Sequence, residues 1–232
     1  MITDILLGDS TVQLCQLFGR EEDRILFVNV HEDEVTSIET VEEYAKTTPV
    51  HFVRIIHNKT RNISFSYKGK NYVFDPNRIY TREGRKSTMK REGAYSFTAS
   101  RVVKRFAKAL IERVSDSQVI VAMHNNTDVN YSIKSYEPGG DEAANTKDVY
   151  VNPDMDPDDF VYTTVRTYYE ALKERKVNVI LQDNENCVND GSLSVYCGKK
   201  GIPYLNIEAQ RGHFTEQLEL IRVVMEVLNA GK

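Results

Sequence analysis

Apolar, β-branched residues gather into short runs at about 11–18, 25–30, 51–57, 117–123, 177–182 and 203–207, and each run reads as a strand. Between them apolar positions recur every three or four residues. This predicts helices in VEEYAK (41–46), FTASRVVKRFAKALIERV (97–114), DDFVYTTVRTYYEALKER (158–175) and HFTEQLELIRVVMEVLNA (213–230). Strand and helix alternating along a whole chain imply a largely parallel sheet covered on both faces, a three-layer α/β/α fold. NISFSYKGKNYVFD (62–75) breaks the rhythm. Its alternating pattern about a Lys-Gly turn predicts a β-hairpin, so the expected sheet is mixed and mostly parallel. Two stretches without either pattern, roughly 79–95 and 125–157, are long for plain connections. Both follow candidate site residues and are placed around the mouth of the site.

Composition narrows the picture. The chain has 232 residues, 41% hydrophobic and 28% charged, enough to bury a core without covalent staples. No repeat, low-complexity tract or linker divides it, so residues 1–232 are expected to form one domain. A net charge of -4 argues against a general electrostatic grip on nucleic acid. Cys15, Cys187 and Cys197 form neither a disulfide framework nor a Cys-x-x-Cys metal site, and read as small buried hydrophobes. MITDILLGDSTVQL lacks the features of a signal peptide, and no run reaches the length of a membrane span. The expectation is a cytoplasmic protein without a membrane partner, although a secreted or periplasmic chain trimmed of its leader reads the same way.

The chemistry concentrates at strand ends. ILFVNVHEDE (25–34) delivers His31 and Glu34 at i, i+3 from the end of an apolar run, and SQVIVAMH (117–124) ends in His124. Two histidines and a carboxylate are a donor set for a catalytic zinc, which takes about three protein ligands and keeps one open position. Ligands gather at the carboxyl ends of strands in open α/β sheets, so the fold can bridge the long gap between Glu34 and His124. Glu208 closes the run YLNIEAQRGH, where burial would raise its pKa and suit it to general-base work. Taken singly, Arg61 and Arg78 read as surface ion pairs, the more common fate of an arginine, and Glu208 by itself is as ambiguous. The six basic residues from Arg78 to Arg91 read as a solvated charge run that could also draw anionic substrates. Asp154, Asp156 and Asp158 lack the glycine and terminal glutamate of a calcium loop, and are expected to cap a following helix. His51, His57 and His213 are expected to be structural.

Taken in order, these motifs resemble the zinc carboxypeptidase family, the carboxypeptidase A-like metallopeptidases, over residues 25–210. His31-x-x-Glu34 resembles the family's first zinc motif, and His124 its second zinc histidine. Lys59-Thr60-Arg61 resembles the stretch carrying the carbonyl-polarising arginine. Asn77-Arg78 resembles the pair that binds a substrate's terminal carboxylate, and Gly191-Ser192 precedes Glu208 at the family's interval. The resemblance implies a zinc carboxypeptidase-like catalytic domain with zinc on His31, Glu34 and His124. It also implies Glu208 as general base, Arg61 stabilising the oxyanion, and Asn77 with Arg78 forking onto a free carboxylate. Alignment about Gly191-Ser192 puts Leu193 and Asn206 in the pocket for the terminal side chain.

Two positions depart from the family pattern: Asp33 stands for an arginine, and Asn186 for the substrate-capping tyrosine. Tyr136, Tyr150, Tyr162 and Tyr196 are candidates to replace it. The spacing between zinc motifs is closer to that of the related succinylglutamate desuccinylase and aspartoacylase group, which cleaves N-acyl amino acids. The expected partner is therefore a peptide or an N-acyl amino acid with a free carboxylate. A noncatalytic binding protein that keeps the metal pocket is the third reading.

Overall fold

The computed structural model describes residues 1–20, 24–114, 118–127, 129 and 131–230. An antiparallel pair, β1 (Ile2–Leu7) and β2 (Ser10–Leu17), precedes β3 (Ile25–Asn29), α1 (Val35–Ala45) and β4 (His51–Ile56). A separate hairpin of β5 (Ile63–Tyr67) and β6 (Lys70–Phe74) leads into α2 (Arg82–Arg91) and α3 (Phe97–Val114). Then follow β7 (Val119–Asn126), β8 (Thr146–Tyr150), β9 (Phe160–Thr163), α4 (Arg166–Glu174), β10 (Val179–Gln182), α5 (Leu193–Lys200), β11 (Tyr204–Gln210) and α6 (Phe214–Ala230).

Among the described residues nine strands form one sheet in the order β1-β2-β4-β3-β7-β11-β9-β10-β8. The central strands β4, β3, β7 and β11 run parallel, as do β9 and β10. The β1–β2, β2–β4, β11–β9 and β10–β8 pairings are antiparallel. The sheet is mixed as expected, but parallel pairing does not predominate: four of its eight pairings are parallel, three of them at the centre. Burial explains that placement: every residue of β3 and β7 is buried, which suits strands covered on both faces.

Helices cover the sheet on both sides. On one face Ala99, Val102, Val103 and Phe106 of α3 pack with Leu26, Val28, Ile120, Ala122 and the hairpin residues Phe65 and Phe74. On the other, Ile38 and Val41 of α1 and Leu220, Ile221 and Val224 of α6 pack with Phe27, Val121, Met123 and Ile207. Adjacent residues of β3 and β7 thus feed opposite cores, the period of two made visible in a run that looks uniformly apolar.

Several expectations are corrected. The stretch 79–95 holds α2, whose Thr81 side chain caps the helix by accepting from Gly84 N at 3.1 Å. The stretch 125–157 contains the end of β7, two short 3-10 turns and β8. The helix expected over 158–175 begins only at Arg166, because the preceding Phe-Val-Tyr-Thr run is β9. Asp154, Asp156 and Asp158 therefore cap no helix; Asp156 closes a turn by accepting from Asp158 N at 2.9 Å. The helix seen at 41–46 starts six residues earlier at Val35, and β1, β8, β9 and α5 carry no strong periodic signal in the sequence.

Candidate metal centre

The centre forms where the parallel strands β3, β7 and β11 end. β3 stops at Asn29, the chain turns, and Glu34 occupies the N-cap position of α1 without capping it through its side chain. Asn125 takes over that task from β7: its Oδ1 accepts from Ser37 N at 2.8 Å. The Glu34 carboxylate is thereby left to face the histidines. His124 precedes Asn125 on the strand, so its ring points to the opposite face.

His31, Glu34 and His124 are each almost wholly buried, and one ligand atom from each lies within 4.8 Å of the others. His31 Nδ1 is 2.8 Å from Glu34 Oε1, His124 Nδ1 is 2.8 Å from Oε2, and the two Nδ1 atoms are 3.2 Å apart. His31 Nε2 donates to Asp75 Oδ1 at 2.8 Å. Both ring nitrogens of His31 face carboxylates that can only accept, Nε2 toward Asp75 and Nδ1 toward Glu34, so His31 donates to both; a bound cation would take the place of the Nδ1 proton, with Asp75 still holding Nε2. Two imidazole nitrogens and a carboxylate, with an outer carboxylate orienting one histidine, are the donor set of a metal site.

The electrostatics carry the same imprint. Burial lowers His31, but the Glu34 charge and the hydrogen bonds to Asp75 and Glu34 outweigh it and push His31 up to about 9. Burial likewise opposes the ionised forms of Glu34 and Asp75. The neighbouring histidines nonetheless hold Glu34 well below the usual carboxylate range, and His31 with Arg78 and Arg61 does the same for Asp75. Glu208 goes the other way. Burial and the Glu34 charge raise it, against the pull of His124, Asn206 and Arg61. The β7–β11 register sets Glu208 directly beside His124, which puts both side chains on one face of the sheet.

A cavity of about 420 Å³ opens over these groups. Glu34, His124, Glu208, Arg61, Asn77, Arg78 and Asn206 all line it. Arg61 Nη1 donates to Glu34 Oε1 at 2.6 Å, and Asn77 Nδ2 lies 3.5 Å from His124 Nε2. Arg78 Nη1 donates to the Asn77 carbonyl at 3.0 Å, and its Nε is 3.3 Å from Asp190 Oδ2. Leu193 is a correction: its side chain packs in the α3-side core, and its backbone amide donates to Asn77 Oδ1 at 3.2 Å. The neighbouring Ser192, Ser194 and Val195 face the cavity instead.

Of the tyrosines considered as replacements for a capping residue, Tyr136 and Tyr162 line the cavity. Tyr150 packs on the α4 side and Tyr196 against Tyr80. Asn186 is exposed and donates to Asp183 Oδ2 at 2.9 Å. Tyr131, not anticipated, shares a 2.6 Å hydrogen bond with Tyr136, and burial pushes both phenols up, so each keeps its proton. Hence 125–157 does border the cavity, whereas no residue of 79–95 does. Asp75 is the other residue the sequence reading missed. Its signal was its place just before Pro76 at the end of β6, which read only as a turn. Elsewhere His213 pairs with Asp159 at 3.0 Å and His51 holds the Arg20 carbonyl at 2.8 Å, both structural as expected. The three cysteines are free, Cys187 at the cavity wall. No described helix is long and apolar enough to cross a membrane.

Neither a protein-family model nor a curated protein sequence matches the chain. Solved structures do. An aspartoacylase family protein of Mesorhizobium loti superposes with a TM-score of 0.52 at 14% identity, over 98% of this chain and 66% of that one, and shares its fold. A candidate metallopeptidase of Shewanella denitrificans gives a TM-score of 0.47 at 13% identity, over 99% of this chain and 84% of that one. A candidate succinylglutamate desuccinylase/aspartoacylase family protein of Shewanella amazonensis gives 0.47 at 10% identity, over 98% and 72%. The structural neighbours of this chain thus include metallopeptidase candidates and desuccinylase/aspartoacylase proteins, the two groups that its ordered motifs resemble.

Proposed function

We propose that this chain is a zinc-dependent hydrolase that removes the C-terminal residue of a peptide. The observation that carries the reading is a buried glutamate set in register beside a buried His-Glu-His cluster, within a cavity that also presents Arg61, Asn77 and Arg78. His31, Glu34 and His124 would hold the zinc, which when bound supplies Lewis acidity and a water acidified toward neutrality. Asn206 Nδ2 donates to Glu208 Oε1 at 3.0 Å, leaving Oε2 to take a proton from the attacking water and return it to the leaving amine. Arg61 stabilises the developing oxyanion, a role worth about 3 kcal/mol. Arg78 and Asn77 bind the substrate's free carboxylate, for which a planar guanidinium is the better fork.

Deacylation of N-acyl amino acids is a second reading, supported by the fold shared with the aspartoacylase family protein. Zinc-loaded protein offered free and C-terminally amidated peptides, beside acetyl- and succinyl-amino acids, separates the two. The expected result is release of one residue from free C-termini alone, falling about 10²–10⁴-fold in Glu208→Gln. Equal cleavage of amidated peptides would overturn the Asn77-Arg78 assignment. Hydrolysis of acyl-amino acids alone would establish the deacylase, and no hydrolysis of anything the binding protein.

A further inference from the structure

A second cavity, of about 830 Å³, lies apart from the metal centre and is lined by α2, α3, their connection and the end of β5. Arg82 and Arg85 of α2 and Arg101, Lys104, Arg105 and Lys108 of α3 line it, with no carboxylate among the lining residues. The α3 cations recur at three- and four-residue spacing, so they share one helix face and repel one another. The chain carries 34 acidic against 30 basic side chains, yet of these six cations Lys108 alone forms an ion pair among the described residues, with Glu112 at 3.3 Å.

Arg85 separates this groove from an ordinary solvated face. It is only 8% exposed; Nη1 donates to the Ile79 carbonyl at 2.7 Å, while the buried Nε has no acceptor. A buried guanidinium without an anion is costly, and a bound anion relieves the cost. Tyr67, Tyr95 and Phe97 add ring faces; Phe97 is 60% exposed, with the Arg101 guanidinium 5.9 Å from its ring centre. Clustered cations beside one exposed and two half-buried rings suit phosphates carried near a planar base.

We propose that this groove binds a polyphosphate chain, free or carried on a nucleoside, at a site independent of hydrolysis. Calorimetric titration of the full chain with tripolyphosphate and with ATP should give saturable binding. Arg101→Ala with Arg105→Ala, both on the exposed helix face, should weaken it about tenfold or more while hydrolysis stays unchanged. Arg85→Met should do the same if it folds. ATP binding tighter than tripolyphosphate, with the excess lost in Phe97→Ala, assigns the nucleotide; equal binding assigns the free chain. The proposal falls if neither anion binds, or if the double variant binds undiminished. It also falls if His124→Ala abolishes binding, which would place the anion at the metal centre, or if an oligothymidylate binds more than tenfold tighter than ATP, which would make the groove a nucleic-acid surface.

Discussion

Asp75 uses one oxygen twice. Oδ1 accepts from His31 Nε2 and from Asn77 N, each at 2.8 Å, so the acid that orients His31, a proposed metal ligand, also caps the turn presenting Asn77 and Arg78. Asp75→Asn replaces the anion with a neutral amide, and the zinc affinity measured by chelator competition should fall about 10–100-fold, the usual loss when such an outer partner is changed. Glu208 is the other side chain whose neighbourhood sets its chemistry. Burial raises its pKa. General-base action needs the ionised form, so peptide hydrolysis should climb with pH through an apparent pKa above the ordinary glutamate range. A limb at the ordinary value, read from kcat/KM against pH, would remove Glu208 from the role.

At the level of elements, the decisive join is between the Arg78 turn and the segment before α5. Gly84 and Gly191 pack backbone to backbone. A Cβ on Gly191 would lie 2.5 Å from the Gly84 Cα and 2.6 Å from the Arg78 carbonyl oxygen, and Gly191 has φ +85°. Tyr80 N donates to the Gly191 carbonyl at 3.0 Å across the same contact. Gly191→Ala should therefore destabilise the fold by about 1–3 kcal/mol from backbone strain alone, read as a lower urea midpoint. Gly191-Ser192 was visible in the sequence as a motif, but not the reason for the glycine. The helix that supplies Gly84 was not visible at all. REGRKSTMKR offers one apolar anchor, Met89, and is held by the Thr81 cap and by packing on β6.

On the scale of the whole molecule, the sheet keeps three potential ligand groups at one buried point, an arrangement that a divalent cation would stabilise and the unfolded chain does not reproduce. Zinc at a hundredfold excess over its Kd should add about 2.7 kcal/mol, which for a chain of this size is about 5–10 °C in Tm. Thermal scans with and without zinc would read it. The increment should vanish in His124→Ala, and its persistence there would discard the ligand set. Charge is distributed on the same scale. An acidic protein overall gathers six cations around one groove on the α2–α3 side, while the cavity over the His-Glu-His cluster mixes acids, amides and two arginines.

The sequence by itself determined the central layer and which side chains are candidates for the site. Runs such as ILFVN and VIVAMH, short and rich in β-branched residues, read as strands buried on both faces, and α3 and α6 announce themselves through apolar positions three and four apart. His31, Glu34, His124 and Glu208 stood out because donor side chains of the right types close apolar runs, in an order that resembles a known family. What only the tertiary structure decided was partnership across the fold: Asp75 on His31, Asn125 capping α1 so that Glu34 is free, Leu193 turned into the core, Tyr131 joined to Tyr136, and Arg85 buried without an anion. Periodicity reports which face of its own element a residue occupies. It carries no information about which distant element that face will meet, and the chemistry of this protein lies in those meetings.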